Sequence, residues 1–138
     1  LRSLIVNKGS KNNIKLGMAV LDGNYLVGKV VEVNYLTSRI LLLSDLNSKI
    51  PVIIEPGGFQ SILSGTGKRH GIIQYLKDNY IIQKNSVLYT SGSGGLFKAG
   101  IPIGKIKVGE LNLKNVNFFS DFSQLKFVKI VSFIKEVD

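Results

Sequence analysis

SGSGGLFKAGIPIGKI, residues 91–106, places five glycines and one proline in sixteen positions. A run this rich in glycine is either a phosphate cradle or an elaborated turn between strands, and the two differ in what must follow. A cradle opens a helix whose N-terminal amides meet the phosphates. Here IGKIKVG (103–109) sets Ile106 and Val108 against Lys105 and Lys107, a period of two that belongs to a strand. Ala99 also stands where a phosphate loop would need its first glycine ahead of Gly104 and Lys105. The stretch therefore reads as a turn. Gly92, Gly94 and Gly95 permit it, Leu96 and Phe97 return as apolar contacts, and Pro102 opens the next strand, where a missing N–H is tolerated.

The same period extends outward. IPVIIEP (50–56) places Ile50, Val52 and Ile54 on one face. SRILLLSD (38–45), GIIQYLK (71–77) and SVLYTSG (86–92) are short, β-branched or aromatic, and bounded by turn residues. Many short strands between Gly-rich turns imply an all-β chain of two small antiparallel β-barrels in tandem, with little or no helix. One segment is ambiguous. In QLKFVKIVSFIKEV (124–137), Phe127, Ile130, Val131 and Ile134 fit a helical stripe, but the β-branched and aromatic content and the missing N-cap favour a strand.

A weak internal repeat organises the chain. KLGMAVLDG (15–23) aligns with KNSVLYTSG (84–92) at an offset of 69 (84 − 15), and GKV (28–30) with GKI (104–106) at 76 (104 − 28). Each copy reads strand, glycine turn, strand, with Gly23 and Gly92 in matching turns. The expected division is a first unit over 1–77 and a second over 78–138. The alternative is that one unit is inserted into the other, or exchanges a strand with it.

At 138 residues, 44% hydrophobic and 20% charged, the chain can bury a core of its own, and no apolar run reaches the roughly 18 residues of a membrane span. A net charge of +9 raises an anionic partner, but the lysines are scattered and there are only three arginines, which argues against a dedicated nucleic-acid groove. With no cysteine there is neither a thiol nucleophile nor a thiolate metal site. GNYLVGKV (23–30) lacks the Ser or Thr that a phosphate loop needs after its lysine, and SGTGKRHG (64–71) is a residue too long for a dinucleotide fingerprint. The sole histidine, His70, sits in a Gly- and Lys-rich turn, and no G-x-S-x-G nucleophile pattern occurs. Asp22, Asp45, Asp78 and Asp121 fall at strand ends, where aspartate makes turn hydrogen bonds. No catalytic, cofactor-binding or metal-binding set emerges, and the chain reads as non-enzymatic.

Taken in order, IVNKGSKNNIKLGMAVLDGNYLVGKVVEV, SRILLLSDLNSKIPV, SILSGTG and SVLYTSGSGGLFKAGIPIGKI resemble the rod shape-determining protein MreC family from about Val6 to Val131. The TSGxGGxFxxGIPxGKI block is the most specific part. Asn85-Ser86 stand where the family commonly has Gly-Asp, and Lys98-Ala99 where it often has a proline, departures that touch local turn geometry. The resemblance implies a pair of small β-barrels on the periplasmic side of the bacterial inner membrane, anchored by an N-terminal helix and coiled coil ahead of Leu1. It implies a non-catalytic scaffold of the cell-elongation machinery. The implied partners are the elongation penicillin-binding transpeptidase, MreD and MreB, with self-association as dimers and filaments. It also implies a likeness to chymotrypsin-type barrels without their catalytic residues. A small-barrel nucleic-acid module and a degenerate protease-like enzyme are the competing classes. A scaffold acts by presenting surface, and the aromatics nearest to turns and strand edges are Tyr25, Tyr35, Phe59 and Phe97, which makes them the expected partner contacts.

Overall fold

A computed structural model describes residues 3–74, 82–93, 97–108 and 114–131. Among these the regular elements are strands and short 3₁₀ turns. The strands are β1 (Ser3–Val6), β2 (Ala19–Asp22), β3 (Tyr25–Val33), β4 (Ser38–Leu42), β5 (Lys49–Glu55), β6 (Phe59–Gly65), β7 (His70–Gln74), β8 (Val87–Thr90), β9 (Pro102–Val108), β10 (Lys114–Phe118) and β11 (Lys129–Val131). They form an antiparallel five-stranded sheet in the order β1-β4-β3-β2-β11 and a closed six-stranded barrel in the order β10-β7-β6-β5-β8-β9.

The alternation read from the sequence is what turns these segments into strands. Ile50, Val52 and Ile54 of β5 are fully buried, and Ile106 of β9 is buried between exposed Lys105 and Lys107. In β3, Leu26 and Val27 are both fully buried because each faces a different core. Leu26 joins Ala19 and Leu43 in the barrel cluster with Ile50, Leu63, Leu88 and Ile103, while Val27 joins Val20, Val30, Ile40 and Ile14 in the core of the sheet. The β2–β3 hairpin is thus covered on both faces and holds the two units together.

The strand memberships do not follow the expected division near residue 77, which itself lies outside the described residues. β5, β6 and β7 precede that point yet close one barrel with β8, β9 and β10, while β11, after the barrel, returns to the edge of β2. The barrel strands, 49–118, are inserted between β4 and β11. Among the described residues of QLKFVKIVSFIKEV, Lys129–Val131 is a strand, preceded by a 3₁₀ turn, Phe122–Gln124, that Asp121 caps by accepting from the Ser123 amide. Residues 132–137 of that segment lie outside the described residues.

The repeat is real, and larger than its sequence trace. In the sheet Val20 opposes Gly28, which opposes Leu42; in the barrel Leu88 opposes Gly104, which opposes Phe118. A Cβ on Gly28 would collide with the Leu41 carbonyl oxygen and one on Gly104 with that of Asn117, so both copies need glycine where neighbouring backbones approach. The ladders align β8 with β2 at an offset of 68 (88 − 20), one residue from the sequence alignment. Each hairpin carries an irregularity in its register at the matching place, Val20/Leu21 in one copy and Leu88/Tyr89 in the other. Followed outward, β1-β4-β3-β2-β11 matches β7-β10-β9-β8-β5, and β6 is the strand that closes the second copy.

Candidate functional site

Gly23 and Gly92 both hold positive φ, +59° and +77°, as their turns require, while Gly94 and Gly95 lie outside the described residues. The stretch that opened the question is fastened at both ends by buried Thr90. Its hydroxyl donates to the Lys98 carbonyl (2.6 Å) and accepts from the Ile101 amide (3.0 Å), and its backbone amide donates to the Ile101 carbonyl. Phe97 is thereby turned inward. It is 4% exposed and packs in the barrel core with Ile103 and Leu88, which removes it from the expected contact surface. Phe59, half-buried against the same core, offers only part of its ring. Tyr25 is 40% exposed and rests against Phe119.

Phe127, outside the expected set, is 88% exposed, and of the four expected contacts Tyr35 is the most open. It is 65% exposed in the turn between β3 and β4, beside Leu36 at 57%. That turn is held rigidly. Asn34 donates through its amide to the Thr37 carbonyl, the Ser10 and Lys11 amides donate to the carbonyls of Asn34 and Tyr35 (2.9 and 3.0 Å), and the Ser38 hydroxyl donates to the Lys8 carbonyl (2.7 Å). Gly9 is needed for this docking because a Cβ there would meet the Asn34 and Tyr35 carbonyl oxygens. On adjacent β1, exposed Ile5 opposes Arg39, whose guanidinium pairs with Glu32 at 3.2 Å. Sequence reasoning found Tyr35 and missed Ile5 and Leu36, since exposure of an aliphatic residue in a strand or turn has no local signature.

The chemistry-bearing motifs dissolve into hairpins. GNYLVGKV is the β2–β3 turn and its return strand, and SGTGKRHG is the end of β6, a turn, and the start of β7. His70 begins β7, half-buried opposite Asn117, with its carbonyl accepting from the Thr66 hydroxyl. No group of three or more His, Cys, Asp or Glu able to hold a metal ion occurs among the described residues.

Comparison with known proteins places this fold. The family model for the rod shape-determining protein MreC, barrel core, matches residues 1–132. A cell shape-determining protein MreC from Cereibacter sphaeroides is 31% identical over 94% of this chain, which spans only 43% of that relative's length. The crystal structure of MreC from Pseudomonas aeruginosa superposes with a TM-score of 0.84 at 29% identity, covering 94% of this chain and 88% of that one. A complex between penicillin-binding protein PBP2 and MreC from Helicobacter pylori shares the fold at a TM-score of 0.65 and 18% identity, over 81% and 74% of the two chains. With the family pattern matched across nearly its whole length and the architecture reproduced, the chain belongs to the MreC family of rod shape-determining proteins, as its barrel core.

Proposed function

We propose that this chain is a non-catalytic scaffold of the bacterial elongation machinery, working on the periplasmic side of the inner membrane and held there by a membrane anchor outside this segment. It docks the elongation transpeptidase and associates with further copies of itself, with MreD and MreB as further partners. The observation that carries the reading is the rigidly fastened turn that leaves Tyr35 and Leu36 open to solvent on a family member whose motifs otherwise serve as hairpin turns. Flat, preorganised apolar surface is what a docking protein needs, because little ordering entropy is lost when the partner arrives. The Helicobacter pylori relative in complex with a penicillin-binding protein supports a partner of the same class. The test is titration of the folded chain against the purified transpeptidase. Tyr35→Ala should weaken binding by more than about 1 kcal/mol. Unchanged affinity in Tyr35→Ala, Leu36→Ala and Tyr25→Ala would overturn the aromatic docking surface.

A further inference from the structure

β11 ends the five-stranded sheet with one side bare. Its residues pair with β2 as Lys129–Leu21, Ile130–Val20 and Val131–Ala19, and no strand lies beyond them among the described residues. We propose that this edge takes an extended segment of a partner protein, one that carries a large apolar side chain between carboxylates. The surface is separate from the Tyr35 turn and does not rest on it.

The barrel copy shows what an edge of this kind accepts. Leu88 opposes Ile54 as Val20 opposes Ile130, so β5 is the counterpart of β11. On its far side β5 carries antiparallel β6, with Gln60 opposite Ile53 and Phe59 opposite Ile54. Ile130 has no such neighbour among the described residues. An edge left this way offers backbone donors and acceptors that an incoming strand satisfies.

The two faces of the edge select the side chains, because successive residues of a strand point to opposite sides. Ile130 packs in the core of the sheet, whereas Val131 packs toward the barrel, where a hollow of about 380 Å³ opens beside it. Ala19, Leu21 and Val131 line the hollow from the sheet, and Phe97, Ile101 and Pro102 line it from the barrel. The barrel wall is fixed in advance. Thr90 holds the Lys98 carbonyl and the Ile101 amide through its hydroxyl, and its own carbonyl accepts from the Gly100 amide (2.9 Å). A large apolar side chain entering there finds formed walls, so little ordering entropy is lost.

The charge at the hollow chooses the partner. Lys98 borders it, and Lys129 lies on the same face of β11 as Val131, opposite Leu21. Both lysines are exposed and neither is in an ion pair, and no carboxylate lines the hollow among the described residues. Phe127, 88% exposed, and exposed Lys126 extend the apolar and cationic surface ahead of β11. A second copy of the chain would bring the same lysines against these, with a net charge of +9 on each side. A segment with carboxylates two positions either side of its apolar residue presents them on that one face, toward Lys129 and Lys98.

The test is a ¹H–¹⁵N spectrum of the chain during titration with the capped peptide Glu-Val-Leu-Val-Glu. The amides of Leu21, Ile101 and Lys129–Val131 should shift saturably. Lys-Val-Leu-Val-Lys, and the acidic peptide with both valine amides N-methylated, should each bind at least about tenfold more weakly. The exposed pair Lys98→Glu/Lys129→Glu should reverse the preference between the two charged peptides while the rest of the spectrum is unchanged. Equal binding of the lysine peptide, an undiminished response to the N-methylated one, or shifts confined to the Tyr35 turn would overturn the proposal. A response that appears only when residues 132–138 are removed would assign the edge to the chain's own end, and concentration-dependent shifts of Lys129–Val131 without peptide would assign it to a second copy. Either result would overturn the partner segment.

Discussion

The rings of Tyr25 and Phe119 lie with their centroids 5.0 Å apart and their planes inclined at 39°. Tyr25 opens β3 of the five-stranded sheet, and Phe119 follows β10 of the barrel, so this pair clasps the two units from outside while Leu26 does so from within. Tyr25→Ala should therefore lower stability by roughly 1–2 kcal/mol, with a coupling to Phe119→Ala of about 0.5–1.5 kcal/mol in a double-mutant cycle. Denaturant unfolding of the four variants measures it. A coupling of zero would make the two rings independent.

The matched glycines separate steric from conformational cost. A Cβ at Gly104 has no room beside the Asn117 backbone, whereas one at Gly23 meets nothing within 4 Å and is disfavoured only by its φ of +59°. Gly104→Ala is expected to cost more than about 2 kcal/mol, and Gly23→Ala about 1 kcal/mol. Urea midpoints of the two variants give the comparison, and the reverse order would contradict the close approach.

Phe97 and Tyr35 should respond in opposite assays. Phe97→Ala empties part of the barrel core and should cost roughly 3–5 kcal/mol of stability. Tyr35→Ala should change stability by less than about 0.5 kcal/mol, because its side chain is largely in water. Calorimetric melting of both is the check.

Thr90→Val keeps the shape of the side chain and deletes both of its hydroxyl hydrogen bonds, leaving the Lys98 carbonyl and the Ile101 amide without this partner. A loss of about 1–3 kcal/mol follows. Faster hydrogen exchange at Ile101 would locate the effect at the fastened loop.

Asp121 supplies a pH signature. The Ser123 hydroxyl and then its amide hold the carboxyl below its ordinary value of about 3.9, with Arg69 a smaller contribution. Because the folded form is the stronger acid, its stabilisation is present above that ordinary value and is lost as pH falls through the depressed one. A ¹³C titration of the Asp121 carboxyl should show the depression, and Ser123→Ala should raise the midpoint.

The strands were legible because burial on one face writes itself as alternation, as in Ile50, Val52 and Ile54. The hairpin glycines were legible for a similar reason, since Gly23 and Gly92 sit where only a turn tolerates them. The pairing of β11 with β2 was not, because a three-residue strand that returns across the whole barrel leaves no local trace. Phe97 looked like an exposed aromatic among glycines. What buries it is the fold-back fastened by Thr90, a tertiary contact.

The insertion of the barrel between β4 and β11 has a mechanical meaning. β1 and β11 are the two outer strands of one sheet, separated by four ladders. Tension applied between the chain ahead of β1 and the chain beyond β11 would run across those ladders in series, and the barrel, hanging as a closed excursion between β4 and β11, would lie outside the load path. Such a chain can be pulled without its inserted barrel being stretched.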